Sequence, residues 1–89
     1  MLQREIEIVN RLGLHARASA KLVQVLTPFE SSVFLTHRGR RINAKSIMGL
    51  MMLAAARGST LTVEAEGPDE EAAIAALVDL FARRFDEGE

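Results

Sequence analysis

The sequence predicts a two-layer α/β sandwich, with helices covering one face of a four-stranded sheet. Three observations predict it. Short segments of alternating polarity recur, segments with apolar residues three and four apart fall between them, and Gly, Pro and Asn punctuate the joins. The resulting order is β-α-β-β-α-β-α over 89 residues, enough for one small domain spanning residues 1–89.

The first strand runs from Leu2 to Val9, with Leu2, Ile6 and Ile8 on one side and Gln3, Glu5 and Glu7 on the other. Asn10 to Leu14 is a loop carrying Gly13. Ala16 to Leu26 has helical spacing, turns Ala20, Leu22, Val23 and Leu26 inward, and stops before Thr27-Pro28. Ser32 to His37 is a strand with Val33 and Leu35 inward. Arg38-Gly39 turns the chain into a short strand around Arg41 to Asn43.

Ser46 is placed to cap a helix from Ile47 to about Ala56, closed by Gly58. From Ser59 to Glu66 the alternation is the cleanest in the chain, with Leu61, Val63 and Ala65 facing one way; Gly67-Pro68 ends it. Asp69 then caps a last helix with Glu70 and Glu71 in its first turn and Arg83 and Arg84 in its last, both suited to the helix dipole. Its inner stripe is Ile74, Leu77, Val78, Phe81 and Phe85.

Composition excludes several classes of function. With no cysteine and two histidines there is no disulfide framework, no thiolate chemistry and no zinc set, so neither metal nor cofactor is expected. The N-terminus alternates rather than running apolar, and Ile47 to Ala56 is too short to span a bilayer. The expectation is a cytoplasmic monomer without membrane insertion. Arg38, Arg40 and Arg41 have no aromatic platform beside them, so nucleic acid is not an expected partner. Charge is nonetheless lopsided: residues 1–57 carry nine Lys/Arg against three Asp/Glu, and residues 58–89 carry two against nine. A basic face that attracts acidic partners and a merely solvated surface both fit that count.

Gly13-Leu14-His15-Ala16-Arg17 is the stretch with most chemistry in it. A histidine opening a helix lies beside unpaired backbone N–H groups and the positive end of the dipole, a setting that suits an anion. Neutral imidazole is a nucleophile available near neutral pH, and Arg17 adds a permanently charged fork for phosphate oxygens. His15 reads equally well as an exposed cap on these grounds alone. The segment Ile47-Met48-Gly49-Leu50-Met51-Met52-Leu53 is apolar all round, yet a helix in a two-layer domain keeps one face in water. Ile47, Met48 and Met51 are therefore candidates for an exposed docking patch. Ser46 is an ordinary cap, at a helix start where a phosphate would also sit well.

Together these motifs resemble the HPr family, the histidine-containing phosphocarriers of the phosphoenolpyruvate-dependent phosphotransferase system. The resemblance rests on Gly13 to Arg17, on Asn43-Ala44-Lys45-Ser46-Ile47-Met48-Gly49-Leu50-Met51, on Gly58-Ser59 and on Ala65-Glu66-Gly67-Pro68-Asp69-Glu70. It implies an open-faced sandwich with an antiparallel sheet ordered 1-4-2-3 and three helices on one side. It further implies that His15 takes a phosphoryl group, on Nδ1, from phosphorylated enzyme I and passes it to an enzyme IIA, with Arg17 stabilising the phosphohistidine.

Such a protein is a stoichiometric carrier rather than an enzyme with turnover of its own. Ile47, Met48 and Met51 would meet the partners, Lys21 and Lys45 would steer them, and Ser46 would be the regulatory site of an HPr kinase/phosphorylase. Where the family often has proline after the arginine, this chain has Ala18, a good helix former. The nitrogen-related paralogue NPr shares the His15 pattern, but Lys45 to Gly49 looks more like HPr proper. A binding module switched by phosphorylation is a further alternative.

Overall fold

A computed structural model describes residues 1–53 and 55–87. The strands are β1 (Leu2–Glu7), β2 (Ser32–His37), β3 (Arg40–Asn43) and β4 (Thr60–Glu66), and the helices are α1 (Ala16–Leu26), α2 (Ile47–Met52) and α3 (Glu70–Ala82). All strand pairings are antiparallel, in the order β1-β4-β2-β3. The three helices lie on one face of the sheet, the open-faced α+β sandwich that the resemblance implied.

Alternation does what the sequence predicts of it. Val33, Leu35, Leu61, Val63 and Ala65 are buried beneath the helices with Ile8. Glu5, Glu7, Thr60, Thr62 and Glu64 alternate with inward residues and face the open side. Phe34 also lies on that side. It is half-buried because Arg41 lies across it, 3.8 Å from the ring centroid, while Arg41 Nε pairs with Glu64 at 3.1 Å.

The helices differ from expectation in instructive places. In α1 the buried positions are Ala18, Ser19, Leu22 and Leu26, while Ala20 and Val23 are half-buried. The apolar stripe is thus rotated from the expected one, and its buried positions nearest the helix start, Ala18 and Ser19, are small. Ala18 precedes the first i-to-i−4 bond, Ser19 N–H to His15 C=O at 2.9 Å, so a residue with or without an N–H fits there equally.

Four further expectations are corrected. The helix beginning at Ile47 ends at Met52 rather than near Ala56, and Gly58 does not close it. The expected helix also covered Ala54, which lies outside the described residues. The segment after α2 binds the loop before α1 instead: Leu14 N–H donates to Ala55 C=O at 3.1 Å, and Gly58 N–H donates to Ile8 C=O at 2.8 Å. Asp69 does not cap α3 with its side chain. Its carboxylate accepts from Ser31 Oγ and from the N–H groups of Glu30 and Ser31, both at 2.9 Å. The Ser31 hydroxyl, first among these donors, holds the Asp69 carboxyl below its ordinary value.

Arg83 and Arg84 also fall outside the last turn of α3, which stops at Ala82. Arg84, Phe85 and Asp86 follow in left-handed backbone at φ 57°, 55° and 60°. Each such residue costs about 1 kcal/mol or more. Phe85 offsets part of that by complete burial and by packing on Phe81 with ring centroids 4.8 Å apart. Lys21 Nζ donates to Phe85 C=O at 2.9 Å and clamps the turn from outside.

Candidate functional site

His15 is held by the loop before it. Asn10 is fully buried and donates from Nδ2 to Gly13 C=O at 2.8 Å, while Gly13 N–H returns to Asn10 C=O at 3.2 Å. Gly13 sits at φ +65° against the backbone of Ala55, where a Cβ would come within 2.5 Å of the carbonyl oxygen. This close approach leaves Leu14 buried and puts His15 at the N-cap of α1 in extended backbone, φ −78° and ψ 179°. The ring makes no capping bond and its side chain remains 27% exposed. The first-turn N–H groups of α1 are thus left free of a side-chain cap.

A cavity of about 330 Å³ opens at this point, lined by Arg11, Leu12, His15, Arg17, Asp86 and Glu87. The structure thus brings His15 and Arg17 to one opening. It adds two residues from the other end of the chain that sequence reasoning missed. Glu87 Oε2 hydrogen-bonds His15 Nε2, and Glu87 Oε1 accepts from Asn10 Nδ2 at 3.1 Å. Seventy-two positions separate Glu87 from His15, and no local pattern signals such a pairing. Leu12 is exposed at the rim of the same cavity, an apolar residue in the loop beside Gly13 and the one sequence signal for it.

Of the remaining predicted residues, Ile47, Met48 and Met51 form a second patch on α2, whereas Lys21 lies on α1 against the Phe85–Asp86 turn. Ile47, Met48 and Met51 are exposed on α2, with Met48 75% accessible, and Met52 extends the patch by one residue. Leu50 alone of this helix is buried. Ser46 caps α2, its Oγ accepting from Gly49 N–H at 3.1 Å. The two lysines are less free than a steering role suggests. Lys45 Nζ donates to Phe29 C=O, and Lys21 Nζ divides between Phe85 C=O and Asp86 at 3.4 Å. A larger cavity, about 520 Å³, lies between β1 and α3 and includes none of the predicted site residues.

No group of His, Cys, Asp and Glu among the described residues is arranged to hold a metal ion. No described helix is long and apolar enough to cross a membrane. What the opening offers is a partly exposed imidazole bonded to a carboxylate, with Arg17 lining the same cavity and the first-turn N–H groups of α1 free of a side-chain cap. That set can accept a small, multiply charged anionic group and hand it on.

Comparison with known proteins agrees with this chemistry. A family model described as the PTS HPr component phosphorylation site matches residues 2–83. The chain is 60% identical to phosphocarrier protein HPr of Cupriavidus necator over the full length of both, and 54% identical to that of Neisseria meningitidis over the same extent. It is 41% identical to phosphocarrier protein NPr of Escherichia coli over 97% of each chain. A crystal structure of HPr from Thermoanaerobacter tengcongensis superposes with a TM-score of 0.94 at 46% identity over 98% of both chains. Sequence, fold and motif thus converge, and the chain belongs to the HPr family of phosphotransferase-system phosphocarriers.

Proposed function

We propose that this chain, acting as one domain, carries phosphate on His15, accepting it from phosphorylated enzyme I and delivering it to an enzyme IIA. The observation that carries the reading is the placement of a partly exposed His15 ring at the start of α1, in an opening shared with Arg17. Phosphate added there meets unpaired N–H groups, the positive end of the helix dipole and a guanidinium fork. Ile47, Met48 and Met51 supply an exposed apolar surface for docking, and the positive charge of Arg17, Lys21 and Lys45 favours acidic partners at long range. The carrier has no turnover of its own.

The higher identity to HPr than to NPr supports the sugar-type branch over the nitrogen-type one. Ser46, at the cap of α2, is on this reading the regulatory phosphorylation site of an HPr kinase/phosphorylase. Incubation with enzyme I and labelled phosphoenolpyruvate tests the carrier role. The expected result is an acid-labile, base-stable label on the wild-type chain that is lost in His15→Ala. An equal label on His15→Ala, or none on the wild type beside a control carrier that charges, overturns it.

A further inference from the structure

We infer that Glu87 is the positioning residue that presents His15 Nδ1 as the phosphoryl-accepting atom and balances the charge the ring acquires. The inference deepens the phosphocarrier reading and rests on it.

The geometry carries it from both sides. Glu87 Oε2 hydrogen-bonds His15 Nε2, while Oε1 takes the amide of buried Asn10, so the carboxylate is held at both oxygens. Its side chain is only 14% exposed. The turn that delivers it runs through three successive left-handed residues, is pinned by buried Phe85 and by Lys21, and closes with Glu87 N–H on Arg84 C=O at 3.0 Å. Asn10 also holds the loop that positions His15, through Gly13 C=O. One buried amide therefore ties imidazole and carboxylate into a single unit.

The chemistry follows from what a carboxylate can accept. It has no proton to give, so the neutral ring facing it carries its proton on Nε2 and its lone pair on Nδ1. In transfer, that lone pair forms a bond to the phosphorus of the donor's phosphohistidine. The donor's N–P bond breaks, and its electron pair returns to the donor nitrogen. Nε2 keeps its proton throughout. The phosphorylated ring is then cationic, and Glu87 lies against its positive edge. On delivery the acceptor nitrogen attacks phosphorus, the Nδ1–P pair returns to Nδ1, and the ring leaves neutral without a proton having to move.

Two measurements on Glu87→Ala, Glu87→Gln and Glu87→Asp test this. Nitrogen-15 shifts of the His15 ring, read without any donor, are expected to show only the Nε2–H tautomer in the wild type and a mixture in Glu87→Ala. Rapid-quench transfer from labelled enzyme I is expected to fall about tenfold at saturation in Glu87→Ala and Glu87→Gln, the scale of one charge-assisted hydrogen bond. KM for the chain stays unchanged, the thermal midpoint falls because buried Asn10 loses an acceptor, and Glu87→Asp recovers much of the rate. An Nδ1–H tautomer in the wild type, a wild-type rate in Glu87→Ala, or a loss confined to KM overturns the inference. A wild-type chain left uncharged overturns the phosphocarrier reading itself, and Glu87's role falls with it.

Discussion

Gly13→Ala is expected to destabilise the protein by about 3 kcal/mol, and the structure separates that loss into two parts. The first is backbone: at φ +65° an alanine in left-handed conformation costs about 1–2 kcal/mol. The second is steric. The new Cβ would lie 2.5 Å from Ala55 C=O and 3.0 Å from Ala56 Cα, both backbone atoms with no rotamer to escape into. Relieving the overlap moves the carbonyl that accepts Leu14 N–H, and forcing one carbon into a closed contact costs about 1–3 kcal/mol. Gly58→Ala is the internal control, because Gly58 has φ +90° and open space where its Cβ would be. It loses the backbone part alone, and the unfolded-state gain of glycine-to-alanine cancels between the two variants. Urea unfolding is therefore expected to place Gly13→Ala about 2 kcal/mol below Gly58→Ala, or roughly 8–16 °C lower in thermal midpoint for a chain of this length. Equal stabilities within about 0.5 kcal/mol would refute the claim that the loop before His15 is set by its contact with Ala55.

Other outcomes follow from the same contacts. Ser31 and the neighbouring N–H groups depress the Asp69 carboxyl below its ordinary 3.8, so the unfolded chain binds that proton first as pH falls. The stability this group contributes is full above that value and drains away below it; Ser31→Ala is expected to flatten the acid limb of a pH–stability curve, and an unchanged limb would contradict the assignment. Phe85→Ala removes a fully buried ring that packs on Phe81 and is expected to cost about 3–5 kcal/mol by calorimetry; a loss under about 1 kcal/mol would mean the terminal turn is not anchored there. Met48→Ala, at a position 75% exposed, is expected to leave unfolding within about 0.5 kcal/mol of wild type while raising KM for transfer severalfold. An unchanged KM would remove α2 from the docking surface.

Much of this fold is legible in the sequence because its strands are one-sided. Leu61-Val63-Ala65 and Val33-Leu35 alternate with polar residues, and alternation has no second reading at that length. The strand order is not legible in that way; periodicity says nothing of pairing, and the order 1-4-2-3 came from family resemblance. The misplaced features all involve bonds between distant segments. Asp69 has the residue type and position of a cap, yet donors 38 and 39 residues away claim its carboxylate. The helix after Ser46 has an apolar pattern that continues past Met52, but Ile8 and Leu14 claim the backbone beyond it. At the site, His15 and Arg17 stand out because they are neighbours at a helix start. Glu87 does not, because only the turn after α3 carries it there.

The most direct test of the phosphocarrier assignment is the location of the phosphoryl group itself. The wild-type chain, charged with enzyme I and phosphoenolpyruvate, is examined intact by phosphorus-31 and nitrogen-15 NMR. The account predicts one phosphoryl group per chain, bonded to His15 Nδ1 and discharged on addition of an enzyme IIA. A phosphoryl group on His37, on His15 Nε2 or on a hydroxyl would contradict it.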